Sequence, residues 1–269
     1  MQELHIGEND AGQRFDKYLK KLLAEAPGSF VYKMLRKKNI TLNSKKADGT
    51  EKLSCGDEVK LFLSDETYEK FRAKSKTVMP EAFSGSEKTL RQLKVLYEDA
   101  DILIINKPSG MLSQKARPED VSANEYILSY LLREGALTEE EMRTFRPSVC
   151  NRLDRNTSGI LIAGKTLKGL QEMSKALKER TIQKYYRCVV KGEVLREDYL
   201  KGWLVKDERE NKVTVSTVKP KSADAAPIET AYRPIWTGGG YTGLEVHLIT
   251  GRSHQIRAHL ASIGHPIIG

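Results

Sequence analysis

The stretch IETAYRPIWTGGGYTGLEVHLI, residues 228–249, decides the fold class, because it holds two alternating runs on either side of a glycine turn. Apolar and polar residues alternate over 228–236 and again over 243–249, which is typical of strands that bury one face. The glycines at 238–240 favour a turn between the two runs. The stretch therefore predicts two neighbouring strands that run antiparallel.

The rest of the C-terminal part of the chain adds more strands than helices. Five further runs are typical of strands, at 94–99, 102–107, 159–165, 184–190 and 212–218. Three segments favour helices, at 122–135, 167–180 and 253–264, the last with Ser253 as its expected N-cap. Because many strands follow one another with few helices between them, we predict an α+β fold with a mostly antiparallel mixed sheet. A parallel doubly wound fold is disfavoured.

Residues 1–64 have the pattern of a separate, small α+β module. A first helix is predicted from four apolar residues at helical spacing, Phe15, Leu19, Leu22 and Leu23. A second helix is expected after Pro27, with Ser29 as its N-cap. Short strands are expected at 40–43 and 55–63.

The segment 65–93 is mixed in charge, lacks periodicity and carries Pro80 and Gly85. Such a composition is typical of a connection between domains. We therefore predict a linker over 65–93 and a second domain over 94–269.

The charge of the chain points to a polyanionic partner. Lys and Arg number 45 against 36 Asp and Glu, which gives a net charge of +9. Phosphate groups attract Lys and Arg and release counterions on binding, so RNA or DNA is the leading partner class. Six basic residues without an intervening acid form a candidate RNA-binding patch: Lys33, Arg36, Lys37, Lys38, Lys45 and Lys46. The alternative for this run is an ordinary solvated helix face.

The cysteine usage and the N-terminus favour a cytoplasmic protein with no membrane partner. Cys55, Cys150 and Cys188 are far apart and form no CxxC pair, which argues against a zinc ribbon or a disulfide framework. The first ten residues are acidic and lack the apolar core of a signal peptide.

The segment NRLDRNTSGI, residues 151–160, sets Asp154 between Arg152 and Arg155 at the start of an apolar run. A neighbouring guanidinium favours the charged form of a carboxylate. A charged carboxylate can serve as a nucleophile or a base, but a structural ion pair explains the same pattern. The segment alone leaves both interpretations open.

Two further residues are candidates for a substrate site. Tyr186 lies in an alternating strand, where a tyrosine is ordinarily a core or cross-strand residue, although it could stack on a nucleobase. Arg252 precedes a helix, and a helix N-terminus already attracts anions.

Other classes of site are disfavoured. His254, His259 and His265 are spaced by five and six residues, which puts no two on one helical face, and no carboxylate cluster accompanies them. The chain also has no GxxxxGK[ST] and no GxGxxG after a strand. We therefore expect neither a metal nor a nucleotide cofactor.

Taken together and in order, these segments resemble the RluA-type pseudouridine synthases. NRLDRNTSG is similar to the family's His-Arg-Leu-Asp-Arg-x-Thr-Ser-Gly signature, and GRSHQIRAHLASIGHPIIG to its second signature. KYYRCVVKG matches its Lys-x-Tyr segment, with the family tyrosine at Tyr186. ILIINKPSGMLS resembles the strand and Lys-Pro turn that open its catalytic domain. The first 64 residues resemble the alpha-L RNA-binding motif that many members carry.

The resemblance implies an isomerase that converts uridines in structured RNA to pseudouridine, without a cofactor. Asp154 would be the catalytic aspartate and Arg252 its salt-bridge partner. Arg152 would fill the space left by the flipped base, and Tyr186 would pack against that base. Whether Asp154 attacks C1′ of the ribose or removes a ribose proton stays open at this point.

Two departures from the family pattern and several alternatives remain. Asn151 stands where the family has histidine, and the chain stops at Gly269, where the family continues, so an incomplete C-terminal end is expected.

Large-subunit ribosomal RNA is the leading substrate and transfer RNA the second. A monomer is expected. The competing hypothesis is a non-catalytic RNA-binding protein on the same scaffold.

Overall fold

The computed structural model describes residues 1–72, 94–207, 212–221 and 224–269. The chain divides into two units, Met1–Lys175 and Ala176–Gly269. Most of the predicted linker, residues 73–93, lies outside the described residues. No helix in the described ranges is long and apolar enough to cross a membrane.

Residues 1–72 form a small α+β module. Its elements are β1 Gln2–His5, α1 Phe15–Leu22, α2 Gly28–Arg36, β2 Ile40–Leu42, β3 Lys45–Lys46, β4 Glu58–Leu61 and α3 Asp65–Phe71. The strands form an antiparallel sheet in the order β1-β4-β2-β3. The four apolar residues that predicted the first helix are all buried in the core of this module. Removing such side chains from water is the main stabilisation of a domain this small.

Two helix boundaries in the module differ from the prediction. Helix α2 begins at Gly28 directly after Pro27, so Ser29 lies inside the helix and the prediction that it is the N-cap is wrong. Helix α3 occupies the start of the predicted linker. It is capped by Ser64, whose hydroxyl accepts from the backbone of Thr67 at 3.2 Å. Tyr68 of α3 belongs to the core of the module, which therefore continues beyond residue 64.

The remainder of the first unit is built around a second antiparallel sheet. Its elements are β5 Lys94–Glu98, β6 Ile102–Lys107, α4 Ala123–Arg133, a 3₁₀ turn Glu141–Arg143, β7 Ser148–Val149, β8 Gly159–Gly164 and α5 Leu167–Glu179, which crosses the division between the units. The strand order is β5-β6-β8-β7, with Ile105 opposite Leu161. Ser122 and Glu125 form a capping box at the start of α4. The apolar face of α4 packs on this sheet in a core separate from that of residues 1–72.

Polar contacts join the module to the 3₁₀ turn of the same unit. The hydroxyl of Thr144 bonds to the carboxylate of Asp10, whose pKa is nevertheless raised by burial. Burial also raises the pKa of Tyr18, and the charge of Glu140 adds to that shift. The residues on either side of the 3₁₀ turn therefore lie near a partly desolvated polar face of the module.

The second unit is a five-stranded antiparallel sheet with one helix. Its elements are β9 Tyr185–Lys191, β10 Asp198–Asp207, β11 Lys212–Ser216, β12 Ala226–Gly238, β13 Tyr241–Leu248 and α6 Gln255–Ser262, and the strand order is β11-β10-β12-β13-β9. The predicted hairpin over 228–249 is present as β12 and β13, with Gly238 opposite Tyr241 and a bulge between Pro234 and Trp236. Leu260 of α6 is buried against Leu244.

All named strand pairs in the described ranges are antiparallel, so the predicted α+β class is confirmed. The described strands form three sheets, one in the N-terminal module and two in the rest of the chain. Strand β10 was not predicted. It contains Gly202, which interrupts the alternation of apolar and polar residues. A Cβ atom at this position would lie 3.1 Å from the carbonyl oxygen of Ser216, so the close approach of the neighbouring strand favours glycine.

Candidate active site

Asp154 lies on the loop between β7 and β8, and its side chain is exposed to solvent, as are those of Arg152 and Arg155. The carbonyl of Asp154 accepts from the backbone of Thr157 at 3.0 Å, which turns the chain toward β8. The loop therefore presents its carboxylate outward, in a position that a bound substrate can reach.

Asn151 closes the base of this loop. Its side-chain amide donates to the carbonyl oxygen of Ile160 at 3.1 Å and accepts from the backbone nitrogen of Ile162 at 2.8 Å. Cys150 adds a backbone bond to the carbonyl of Ile162 at 2.7 Å. The residue that replaces the family's histidine thus holds the loop to β8 through both ends of its amide.

A second loop, residues 108–113, fastens the Asp154 loop from the other side. The hydroxyl of Ser113 donates to the carbonyl of Leu153 at 2.8 Å and accepts from the backbone nitrogen of the same residue at 2.9 Å. The backbone nitrogen of Gly110 donates to the carbonyl of Arg155 at 2.8 Å, and the guanidinium of Arg155 donates back to Gly110 at 3.1 Å. The residues on both sides of Asp154 are therefore held in place.

Lys107, at the end of β6, is a charged side chain with no exposed surface. Its ammonium donates to the carbonyl oxygens of Pro108 at 3.0 Å, Met111 at 2.7 Å and Arg155 at 3.2 Å. Burial lowers the pKa of Lys107, and the charge on Asp154 opposes that shift. A buried cation thus joins the two loops and interacts electrostatically with the candidate carboxylate.

Sequence reasoning noted the Lys-Pro turn but assigned no role to Lys107 or to Ser113. The available signal was a lysine at the end of an apolar strand, which is unusual because buried lysines are rare and need partners. The three carbonyl partners come from the two loops and could not be read from spacing.

In the second unit, Tyr186 lies on β9 opposite Val246 of β13 and packs against the core of that unit. The preceding Tyr185 lies on the opposite face, stacked on His247 with ring centroids 4.7 Å apart. Strand alternation therefore separates the two neighbouring tyrosines. Tyr186, the residue singled out from the sequence, is half-buried on the face that α6 covers.

Arg252 lies in the turn between β13 and α6, and its side chain is exposed. Its backbone nitrogen donates to the side-chain oxygen of Gln255 at 3.1 Å. Gln255 is buried and donates in turn to the carbonyl of Glu229 and the hydroxyl of Thr230, both at 3.0 Å. Ser253 is not the N-cap that was predicted, since α6 starts at Gln255 after a left-handed His254. The buried glutamine holds the turn that carries Arg252.

The histidines near α6 serve the structure. His259 is buried and its ring bonds to the hydroxyl of Thr230 at 3.0 Å, while burial lowers its pKa. The ring of His265 bonds to the carbonyl of Lys191 at 3.0 Å. Among the residues that the structure describes, no group of three His, Cys, Asp or Glu side chains is placed to hold a metal ion.

The six residues of the candidate RNA-binding patch lie at the C-terminal half of α2, in the connection after it and on β3. All six are exposed. Within the described part of the chain none of them forms an ion pair with a carboxylate. Their charges are therefore available to an external anion.

The structure places Arg152 and Asp154 in the first unit with the patch, and Tyr186 and Arg252 in the second. Within the first unit it brings Asp154 together with Lys107. Arg152, Asp154, Tyr186 and Arg252 each lie on a loop or strand that is anchored within its own unit.

Comparison with known proteins identifies the family to which the chain belongs. A family profile described as RNA pseudouridylate synthase matches residues 101–262, well over half of the chain. The chain belongs to the RNA pseudouridylate synthase family. The enzyme is therefore an isomerase that converts uridine in RNA to pseudouridine.

Relatives cover nearly the whole chain. A protein of Vibrio vulnificus named ribosomal large subunit pseudouridine synthase C is 32% identical over 99% of this chain and 78% of its own length. The protein of the same name in Escherichia coli K12 is 31% identical over 97% of this chain and 76% of its own length. These matches include the N-terminal module as well as the region around Asp154.

A solved structure supports the fold. Human RNA pseudouridylate synthase domain containing 4 superposes with a TM-score of 0.56 at 20% identity, covering 68% of this chain and 69% of that one. The architecture of this pseudouridine synthase is thus shared with a distant member of the family.

Proposed function

We propose that this pseudouridine synthase modifies specific uridines in structured RNA, with large-subunit ribosomal RNA as its substrate and Asp154 as the reacting carboxylate. The observation that carries the proposal is the exposed carboxylate of Asp154 on a loop held by Asn151 and Ser113 and joined to the buried Lys107. A fixed, exposed charge near a buried cation is an arrangement suited to catalysis, because the loop does not have to rearrange when the substrate binds.

The reaction needs one group that acts on the ribose. The N1–C1′ bond of uridine breaks, the detached uracil turns, and a C5–C1′ bond forms while the C5 proton leaves to solvent and N1 gains a proton. Atoms and electrons balance without an oxidant or reductant. Asp154 either attacks C1′ or removes a ribose proton, and both routes require its carboxylate to be ionised and within reach of the sugar.

Three residues complete the proposed site. The target uridine must leave its stack to reach the carboxylate. Arg152 occupies the space that the base vacates, Tyr186 packs against the extruded uracil, and Arg252 binds the substrate. Arg252 is suited to this by the buried Gln255 that holds its backbone, and Tyr186 by its half-buried position on β9 opposite Val246.

The N-terminal module supplies affinity for a large folded RNA. Its six exposed cations neutralise phosphates without reading sequence. The relatives named for the large ribosomal subunit align over the module too, which supports ribosomal RNA over transfer RNA. On this proposal the enzyme acts as a monomer in the cytoplasm, where ribosomes are assembled.

Tritium release tests the substrate directly. Large-subunit ribosomal RNA and transfer RNA, each transcribed with tritium at uracil C5, are incubated with the enzyme in separate reactions. Release of tritium to water from intact ribosomal RNA, with little from transfer RNA, is the expected result. Release from transfer RNA alone would overturn the substrate assignment, and tight binding without release would indicate a non-catalytic RNA-binding protein.

A further inference from the structure

A small cavity of about 120 Å³ lies in the second unit at the start of β9. It is lined by Arg180, by residues 182–184 and by residues 247–249, and no carboxylate belongs to this lining. Its basic side chains include Arg180 and Lys184. The ring of His247 is stacked on Tyr185. The volume is sufficient for one phosphate group and too small for a nucleobase with its sugar.

The two cations of this cavity lack a partner of opposite charge. In the described part of the chain neither Arg180 nor Lys184 forms an ion pair. Lys184 is half-buried, and burial together with the charge of Arg180 lowers its pKa. Two cations held close together without an acid are destabilising unless an anion offsets their repulsion. The cavity therefore offers two positive charges to an anion.

The position of Lys184 ties the cavity to the candidate substrate residues. Lys184 lies two residues before Tyr186 and directly precedes the first residue of β9. Its ammonium nitrogen lies 3.2 Å from the position that a Cβ atom on Gly251 would occupy. Gly251 directly precedes Arg252, so Lys184 contacts the turn that presents the arginine. Its carbonyl also accepts from the backbone of Leu248 at 2.9 Å, which fixes β9 to the end of β13.

We propose that Arg180 and Lys184 bind one backbone phosphate of the RNA strand beside the target uridine. The inference rests on the proposed function, because it takes Tyr186 and Arg252 to be the residues that meet the flipped nucleotide. An extruded base is held at a defined distance from its own phosphates, so a phosphate clamp next to Tyr186 sets how far the uridine can enter. The clamp positions the strand and takes no part in bond breaking.

The test compares the salt dependence of RNA binding in matched variants. Filter binding to the large-subunit transcript is measured from about 50 to 300 mM NaCl for the wild type, Lys184→Gln, Arg180→Gln and Lys184→Arg. Lys178→Gln is the control, because Lys178 is exposed on α5, does not line the cavity and loses the same charge. We expect the slope of log Kd against log salt to fall in each Gln variant, by at most the value of about 0.7 to 0.9 that belongs to one whole phosphate contact. Lys184→Arg and Lys178→Gln keep the wild-type slope.

Two further measurements separate the outcomes. Tritium release from the wild type tests the proposed function on its own, so wild-type release with unchanged slopes in both Gln variants overturns the clamp alone. Thermal melting with inorganic phosphate and no RNA tests the other source of the anion. The proposal would be overturned if inorganic phosphate stabilised the wild type but not Lys184→Gln while the salt slopes of RNA binding stayed unchanged. The cavity would then be a site for free phosphate and not for the RNA backbone. Circular dichroism confirms that each variant is folded.

Discussion

The charge of Asp154 acts on the buried ammonium of Lys107, and that ammonium in turn bonds to the carbonyl of the residue that follows Asp154. The two groups are far apart in sequence, Lys107 at the end of β6 and Asp154 on the loop before β8. The exposed acid is thus supported by a cation that the solvent does not reach. Several measurements follow from this relationship and from the contacts around it.

Lys107→Met should both destabilise the first unit and slow the reaction. The substitution keeps an apolar stem but removes the donor that the carbonyls of Pro108, Met111 and Arg155 share, although that of Arg155 keeps its bond from Gly110. A lost partner costs about 1–3 kcal/mol in a buried setting. We expect the free energy of unfolding to fall by roughly 3 kcal/mol and tritium release to fall at least about tenfold. Chemical denaturation and the release assay are the measurements.

The control for Lys107 is Lys168→Met. Lys168 is an exposed residue of the same unit, paired with Asp101 at 3.1 Å. Exposed pairs contribute little, so the control should change stability by less than about 1 kcal/mol. Equal effects of the two substitutions would show that Lys107 has no special role.

Asn151→Ala should loosen the Asp154 loop. It removes both side-chain bonds to β8, one donated and one accepted. Each is worth about 1 kcal/mol, so we expect a loss of roughly 2 kcal/mol in unfolding free energy and faster amide exchange at Ile162. Asn156→Ala, in the same loop but exposed, is the matched control. Unchanged exchange at Ile162 in the Asn151 variant would contradict this view of the residue.

His259 should make the second unit sensitive to acid. Burial depresses the pKa of the folded histidine below its ordinary 6.5, so the unfolded state binds the proton more readily. Its contribution to stability is complete above about pH 6.5 and is lost as the pH falls below that value. We expect the melting temperature to drop between pH 7 and pH 5 by more in the wild type than in His259→Gln. Parallel curves would refute the assignment.

Neutralising the patch should weaken RNA binding without changing the chemistry. Lys33, Arg36 and Lys37 are changed together to Gln, and the control triple changes Arg133, Lys168 and Lys178, which carry the same total charge. Loss of about two to three phosphate contacts lowers the salt slope by about two. Saturating RNA should restore the wild-type turnover. An unchanged slope would mean that these lysines form only a solvated helix face.

The strands and helices that sequence patterns specify locally were predictable. The pair β12 and β13 has clear alternation and a glycine turn, and α1 has its apolar residues at helical spacing, so both appear where they were expected. Helix boundaries that depend on adjacent residues or on tertiary contacts could not be predicted from the sequence. Pro27 starts α2 before Ser29, and the residues after Ser64 form a helix because Tyr68 finds the module's core.

For the candidate site, the sequence indicates the motif residues but not the contacts that hold them. Asp154, Tyr186 and Arg252 stand in segments that resemble family signatures, so a role for each could be proposed from the sequence, and those roles stay predictions. Lys107 and Gln255 act through contacts between segments that are distant in sequence, and such contacts follow from tertiary packing alone. The same holds for Asn151, whose role became apparent only through its bonds to β8.

The carboxylate of Asp154 is the centre of the account, and its isosteric amide tests it most directly. Tritium release from labelled large-subunit ribosomal RNA is measured under single-turnover conditions for the wild type, Asp154→Asn and the control Asp198→Asn, an exposed acid of the second unit. We predict that Asp154→Asn binds the RNA with wild-type affinity but releases no tritium, while the control reacts normally. Release by Asp154→Asn at a rate near that of the wild type would contradict the assignment of Asp154 as the reacting group.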